Sequence, residues 1–486
     1  MNLKTSRWVL VVASLGLVSG ACGSDDEATG SAGPSGSGAS GGTGGTGGTG
    51  GTGGTGGTGG VGGTGGNGGS GGAELPPPSE DWTRDILTTD LTLDVATRTG
   101  TARIALAPST TSLAASFEVG DLTITSITSE TVALNYAVTG NQLDVGVPAG
   151  PASFTIEYGF AEHPDFDGWM PGPMLTFLWP QFCGNLFPCK SDPADGVAFT
   201  MSVTGAPVGS TVVYPATIPA DAPSYMPALA IGEFTKVDLA PTSKGTQVSV
   251  WHLPGQEADA AAGTAHLSEV FDFFETTYGD YPFGTSVGTV SADWGGGDYG
   301  GMEHHPYWHV SSGSLYSEEV NAHEAAHGWF GNGVRIACWE DFVLSEGTVT
   351  YMAAHALGEA GVDIWPNYEC ELKYLCDPAN MTNTIALPDT CNAIDILTDP
   401  LWSIVPYIKG AYFYQAVASA IGADVLDQAI GEFYVANVGK AAKMQALIDH
   451  IKDKAGMATA PTIDALATAW LRTLECPVDH TTLVCP

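Results

Sequence analysis

Between about residue 82 and residue 250, apolar and polar positions alternate in short runs: 91–95, 101–106, 122–127, 154–158, 198–203 and 211–213. Val, Ile, Thr and Phe at a period of two, separated by Gly, Pro, Asn and Asp, predict strands with one buried face. With no helical periodicity between them, the runs predict an antiparallel, sandwich-like β-rich domain over residues 79–253. After His252 and Leu253 the period changes. Residues 258–278 carry apolar side chains three and four apart and stop at Gly279, which predicts one continuous amphipathic helix. A mostly helical second domain is therefore expected over residues 254–486, making the chain an α+β multidomain protein. Residues 317–331 form its most distinctive helix, with Ser317 as N-cap, Glu318 and Glu319 in the first turn where they favour the helix dipole, and Gly331 at the exit.

The N-terminal part is patterned differently. Lys4 and Arg7 precede an apolar stretch over residues 8–18 and the small residues Ser19, Gly20 and Ala21, which reads as an export signal over residues 1–21. The stretch is shorter than the roughly 20 residues a membrane span needs, and no later segment supplies one. Small residues before Cys22 resemble the lipobox of bacterial lipoproteins, with Ser19 where that motif more often has Leu. The resemblance implies lipidation of Cys22 and a cell-envelope location; the alternative is ordinary secretion. Residues 41–72 are a G-G-x repeat without the regular prolines of collagen. Residues 22–78 are thus expected to be a lipidated N-terminus and a disordered Gly-rich tether, whose root-mean-square reach would be roughly 40 Å.

Composition narrows the function classes. The formal net charge is −37, from 53 acidic and 16 basic residues among 486. Such a surface repels phosphate backbones and anionic lipid, so nucleic-acid binding is excluded and membrane attachment is left to the lipid anchor. A hydrophobic content of 43% excludes disorder throughout. Apart from Cys22 there are eight cysteines and no C-x-x-C, a pattern that favours disulfides in an exported protein over a cysteine zinc site. Short spacings suggest Cys183 with Cys189 and Cys476 with Cys485, out of 105 possible pairings.

The chemistry concentrates in S-E-E-V-N-A-H-E-A-A-H-G-W-F-G at 317–331. His323 and His327 stand four apart, on one helix face and within reach of one metal ion, with Glu324 beside them. Eighteen residues after His327, Glu346 lies on a second predicted helix and would complete a His-His-Glu set that leaves the fourth zinc position open. Upstream, Gly300, Gly301, Met302 and Glu303 form an edge segment ahead of the zinc helix. Downstream, V-P-Y-I-K-G at 405–410 opens a helix with Tyr407 at its start.

Together, the zinc motif with its gap to Glu346, the G-G-M-E segment and P-Y-x-K-G resemble the membrane alanyl aminopeptidase family of gluzincins, which includes leukotriene hydrolase. Y-G-D-Y-P-F at 278–283 and W-F-G-N at 329–332 add to the likeness, which spans residues 80–477. It implies a β-rich domain beside a thermolysin-like catalytic domain holding one zinc ion, and removal of N-terminal residues from peptides with a free N-terminus. His323, His327 and Glu346 would bind the metal. Glu324 would be the general base and Tyr407 the donor to the oxyanion. Glu303 would pair with the substrate's α-ammonium, with Gln181 as a second contributor to that amine pocket, and the backbone of Gly300 and Gly301 would align the peptide.

The sequence departs from the family at several points. G-x-M-E-N ends here in His304, with His305 and His309 close by; these histidines would either add pH dependence near neutrality or lie on the surface. Ile408 stands where an acidic residue is common. The large helical C-terminal domain of many relatives is not seen, which would open the cleft to longer peptides. Two other readings remain: a zinc endopeptidase or other metallohydrolase with Glu303 idle, and a non-catalytic surface binding module.

Overall fold

A computed structural model describes residues 75–294, 300–380 and 384–485. The signal segment, Cys22 and nearly all of the expected tether lie outside the described residues. Among those described, no helix is long and apolar enough to cross a membrane.

The alternating runs become strands. In Thr99–Ser109, Ala102, Ile104 and Leu106 are buried while Thr101 and Arg103 turn outward; in Gly150–Gly159, Ala152, Phe154, Ile156 and Tyr158 pack inward. Both belong to a seven-stranded sheet with Ile86–Asp94 between Thr99–Ser109 and Val197–Thr204. The sheet is not wholly antiparallel, because Ile86–Asp94 pairs in parallel with Val197–Thr204. Alternating burial fixes which face a strand turns inward but leaves strand direction to the connections.

Downstream, Thr235–Asp238, Gln247–His252, Ser286–Ala292, Tyr307–Ser311 and Gly301–Met302 form, in that spatial order, a five-stranded mixed sheet. The sheet under the site thus begins at Thr235, upstream of the expected boundary at residue 254. The change of period marks where helices start, whereas hydrogen bonding joins the two preceding strands to Ser286–Ala292.

Among the described residues nine α-helices follow: α1 (Glu257–Gly263), α2 (Leu267–Thr277), α3 (Glu318–Ala326), α4 (Phe342–Glu359), α5 (Trp365–Cys376), α6 (Val405–Ile421), α7 (Ala423–Asn437), α8 (Met444–Ala455) and α9 (Ala460–Leu471). The single helix expected over 258–278 is two, α1 and α2. Thr264 turns its hydroxyl back onto the Ala260 carbonyl, and a Cβ on Gly263 would meet the Leu315 carbonyl, so the chain leaves the first helix where it crosses that loop.

Helix α4 is buried almost all round and packs on α6. The crossing is close because Gly347 faces Gly410; a Cβ on Gly347 would lie 2.8 Å from the Gly410 Cα. This accounts for the glycine of P-Y-I-K-G. The lysine of that motif has a structural role too, since buried Lys409 donates from Nζ to the carbonyls of Thr473 and Leu474, just beyond α9.

Cys183–Cys189 closes a local loop as expected. The expected Cys476–Cys485 pair is not formed: Cys476 joins Cys376, Cys485 joins Cys370, and Cys338 joins Cys391. The chain's last stretch runs back along α5, with Lys373 donating to the Leu483 carbonyl and the Val484 amide to Glu369, and this brings both cysteines onto that helix. Pairings over 100 and 115 residues restrict the unfolded chain more than a short local loop does.

Candidate active site

Helix α3 begins as the sequence indicates, with the Ser317 hydroxyl accepting from the Val320 amide. It ends at Ala326, with His327 as its C-cap, so the two histidines occupy its last turn. Gly331 then turns the chain at φ +98°, where a Cβ would lie 2.7 Å from the His327 ring. Each imidazole is oriented by a second bond. His327 donates from Nδ1 to the Phe330 carbonyl at 3.1 Å. Thr350 commits its hydroxyl proton to the Glu346 carbonyl at 2.6 Å, so its oxygen accepts from His323 Nδ1 at 3.4 Å. Both Nε2 atoms are left to face Glu346.

The resulting triangle has the size a metal ion requires. His323 Nε2 lies 3.1 Å and His327 Nε2 3.5 Å from Glu346 Oε2, and the two Nε2 atoms are 3.2 Å apart. Ligand bonds of about 2.1 Å in a tetrahedron place donors about 3.4 Å from one another. Chemistry agrees with size. Burial disfavours a charge on His327, yet Glu346, Glu303 and Glu324 raise its pKa to about 10. Burial works against Glu346, yet His327 and His323 hold it down to about 2. Three carboxylates around two buried imidazoles make a negative field that favours a cation at this point.

Around these donors lies a cleft with about 1100 Å³ of empty space, its open mouth included. Gly300, Gly301, Glu303, Glu324, Tyr407 and Trp402 are among its lining residues. A Cβ on Gly301 would sit 2.4 Å from Glu324 Oε1, so this glycine lets the carboxylate lie directly against the edge strand. Burial pushes the Glu324 pKa well up; His327 opposes this, while Glu303 and Glu346 add to it. Tyr407 stacks on His323, with ring centroids 5.8 Å apart. Burial and the three carboxylates keep its hydroxyl protonated, and hence a donor, far above neutral pH.

Glu303 is buried, its carboxyl bonded to the Tyr225 hydroxyl and its carbonyl accepting from Asn332 Nδ2 at 2.7 Å. Tyr225 comes from the β-rich half and carried no sequence signal, being one apolar-aromatic position in a coil. Gln181, the expected partner of Glu303, does not line the cleft: its Nε2 donates to Asp395 at 3.3 Å, and Trp179, two residues earlier, turns inward instead.

The histidines after Glu303 fit neither expectation. His304, His305 and His309 are all buried, and burial drives their pKa values down, to about 3 for His305 and His309. All three are therefore neutral at pH 7. Tyr281 donates to His305 Nδ1 at 2.8 Å, and His305 donates from Nε2 to the Glu324 carbonyl at 2.7 Å, bracing α3 at Glu324. His304 packs against Phe177 and lies edge-on to His309.

Residues 301–470 match the description "Peptidase family M1 domain". A leucine aminopeptidase 2-1 from Meyerozyma guilliermondii is 27% identical over 274 residues, 51% of this chain and 43% of that protein. The chain thus spans less than half the length of that curated relative. Among solved structures, an M1 zinc metallopeptidase from Deinococcus radiodurans superposes with a TM-score of 0.69 at 17% identity, over 83% of this chain and 96% of that one. A mutant of the same protein, described as bound to a Tyr-Ser-Ala substrate, gives 0.66 at 18% identity, over 79% and 94%. At these identities the structural likeness concerns the fold.

Proposed function

We propose, on the match of residues 301–470 to the peptidase family M1 domain, that the chain is a zinc-dependent aminopeptidase that hydrolyses N-terminal residues from peptides. The observation that carries this reading is the convergence of His323, His327 and Glu346 on one point, with Glu324 beside them and buried Glu303 on the adjacent strand edge. One zinc ion per chain, held by these three side chains, would supply Lewis-acid chemistry, acidifying a water molecule and polarising the scissile carbonyl.

The chain's own residues do the rest. Glu324 takes a proton from the attacking water and returns it to the leaving amine, a role suited to a carboxylate whose proton affinity is raised by burial. Tyr407 donates its hydroxyl proton to the oxyanion. Glu303, held by Tyr225, accepts the α-ammonium of the substrate, which limits cleavage to the first peptide bond. The strand edge at Gly300 and Gly301 offers backbone groups that extend the sheet with the bound peptide.

The test compares alanyl p-nitroanilide with its N-acetyl form, with and without a chelator, in wild type and Glu324→Gln. Hydrolysis of the free-amine substrate alone, abolished by chelation and in the variant, is expected. Equal cleavage of both substrates would sink the exopeptidase reading in favour of an endopeptidase or other metallohydrolase. Absence of both zinc and turnover would leave a binding module. For location, we propose export with lipidation at Cys22 and the Gly-rich segment as a tether; Cys22→Ser should then move the protein from the membrane fraction to the soluble fraction.

A further inference from the structure

The cleft has a direction. A Cβ on Gly300 would approach Val320 at 3.6 Å, one on Gly301 would meet Glu324, and the Glu303 carbonyl is held by Asn332 beyond the end of α3. The edge segment 300–303 therefore runs alongside α3 from its first turn to its last. With the substrate amine at Glu303 and the scissile bond at the level of Glu324, the next residue of the peptide falls beside Gly300, Val320 and the first turn of α3.

The side chain that lines the cleft there is Glu319. It is spaced four residues from His323 and eight from His327, so it shares their helix face. It is only 6% exposed. Its hydrogen-bond donor is a neutral amide, Asn367 Nδ2 at 3.2 Å, and its ionisable neighbours on α5 are Tyr368 and Glu371, neither of them a cation. Among the described lining residues of the cleft there is neither Lys nor Arg. A carboxylate this buried is poorly stabilised by a single amide and strongly stabilised by a cation brought to it. Consistent with this, burial raises its pKa to about 7. The first turn of a surface helix would have left such a residue in water; here α5 covers it and the cleft opens onto it.

We propose that Glu319 is a specificity-determining residue that selects peptides carrying Lys or Arg immediately after the scissile bond. The inference rests on the aminopeptidase reading for its placement of the substrate amine at Glu303. The cation supplies what the site lacks, and its methylene stem lies along Val320 and Tyr368, apolar surfaces of the same wall.

The test measures kcat/KM for three tripeptide amides that differ only in the second residue: Ala-Lys-Ala, Ala-norleucine-Ala and Ala-Glu-Ala. Norleucine keeps the stem and removes the charge. Wild type is expected to prefer Lys over norleucine at least tenfold and to cleave the Glu peptide slowest. In Glu319→Gln, which retains an acceptor for Asn367, the Lys-to-norleucine ratio should fall to near one. A wild-type ratio near one overturns the proposal without any variant, as does a large ratio that survives Glu319→Gln, which would leave Glu319 a strut between α3 and α5. Cleavage of the norleucine peptide with no preference for Lys removes this inference alone; failure to cleave any of the three or the anilide removes the aminopeptidase reading.

Discussion

Two pairs of histidines lie in the C-terminal half with almost the same internal spacing. His323 and His327 face each other through Nε2 atoms 3.2 Å apart, and His304 and His309 through Nδ1 atoms 3.3 Å apart. Both pairs are largely removed from water, yet their electrostatics are opposite. The first meets Glu346, Glu303 and Glu324, which draw a positive charge to the site. The second meets Phe177, with Trp294 beside His309, and is held neutral; His304 Nε2 has no hydrogen-bond partner among the described residues. What a buried imidazole does is decided by whether carboxylates or rings surround it.

Several substitutions can break or sharpen that contrast. The largest effect is expected from His327→Ala, which opens the donor triangle. Bound zinc should fall below stoichiometric by metal analysis, and turnover should drop by more than the roughly 100-fold typical of losing a merely supporting group. Tyr407→Phe comes next: kcat should fall by about 10² to 10³ with zinc content intact, because a donor to the oxyanion is lost and a ligand is not. Glu303→Ala should raise KM for free-amine substrates by roughly 10- to 100-fold, the worth of one charged hydrogen bond. Zinc content should stay unchanged in that variant; loss of metal would mean that Glu303 has been misassigned.

The smallest effect concerns the neutral histidines His305 and His309 and is read in stability. The folded-state pKa values of His305 and His309 are depressed to about 3 from 6.5. Their contribution is therefore fully present above pH 6.5 and is lost as pH falls from 6.5 toward 3, because the unfolded chain takes up protons that the fold refuses. Each histidine should cost about 1.4 kcal/mol per pH unit within that window. His309→Phe should remove one such share, so urea unfolding of the metal-free protein at pH 7 and pH 5 should show a shallower decline than in wild type. His327 has the reverse sign in the metal-free chain: its pKa of about 10 gives stability that is complete below 6.5 and is lost as pH rises through 10.

The β-rich half and the helical half also differ in how much could be read from the chain. Period-two alternation marked the strands at residues 101–106 and 154–158, because a half-buried strand writes its two faces into the sequence. It said nothing of Tyr225, because an aromatic residue in a coil looks the same whether it fills a core or reaches a neighbouring domain. In the helical half, His323, Glu324 and His327 were legible because a single helical turn brings them together, and Glu346 because it is spaced for a second helix. Gln181 was misplaced because its motif was shortened and no local geometry fixed which residue turned inward. The cysteines failed for a related reason: short spacing favours local loops, but α5 and the returning tail brought distant pairs together.

By itself, then, the sequence determined the local objects: strands, caps, the four-residue spacing of His323 and His327, and the motif around Tyr407. All of these depend on interactions within a turn or two of helix or strand. Only the tertiary structure decided what surrounds each side chain. It set one histidine pair among carboxylates and the other among aromatic rings. It gave Lys409 to the carbonyls beyond α9, and it placed Glu319, an ordinary first-turn residue in the sequence, in a cleft with no Lys or Arg among its described lining residues. Burial and field are sums over neighbours remote in the chain, and no local pattern records them.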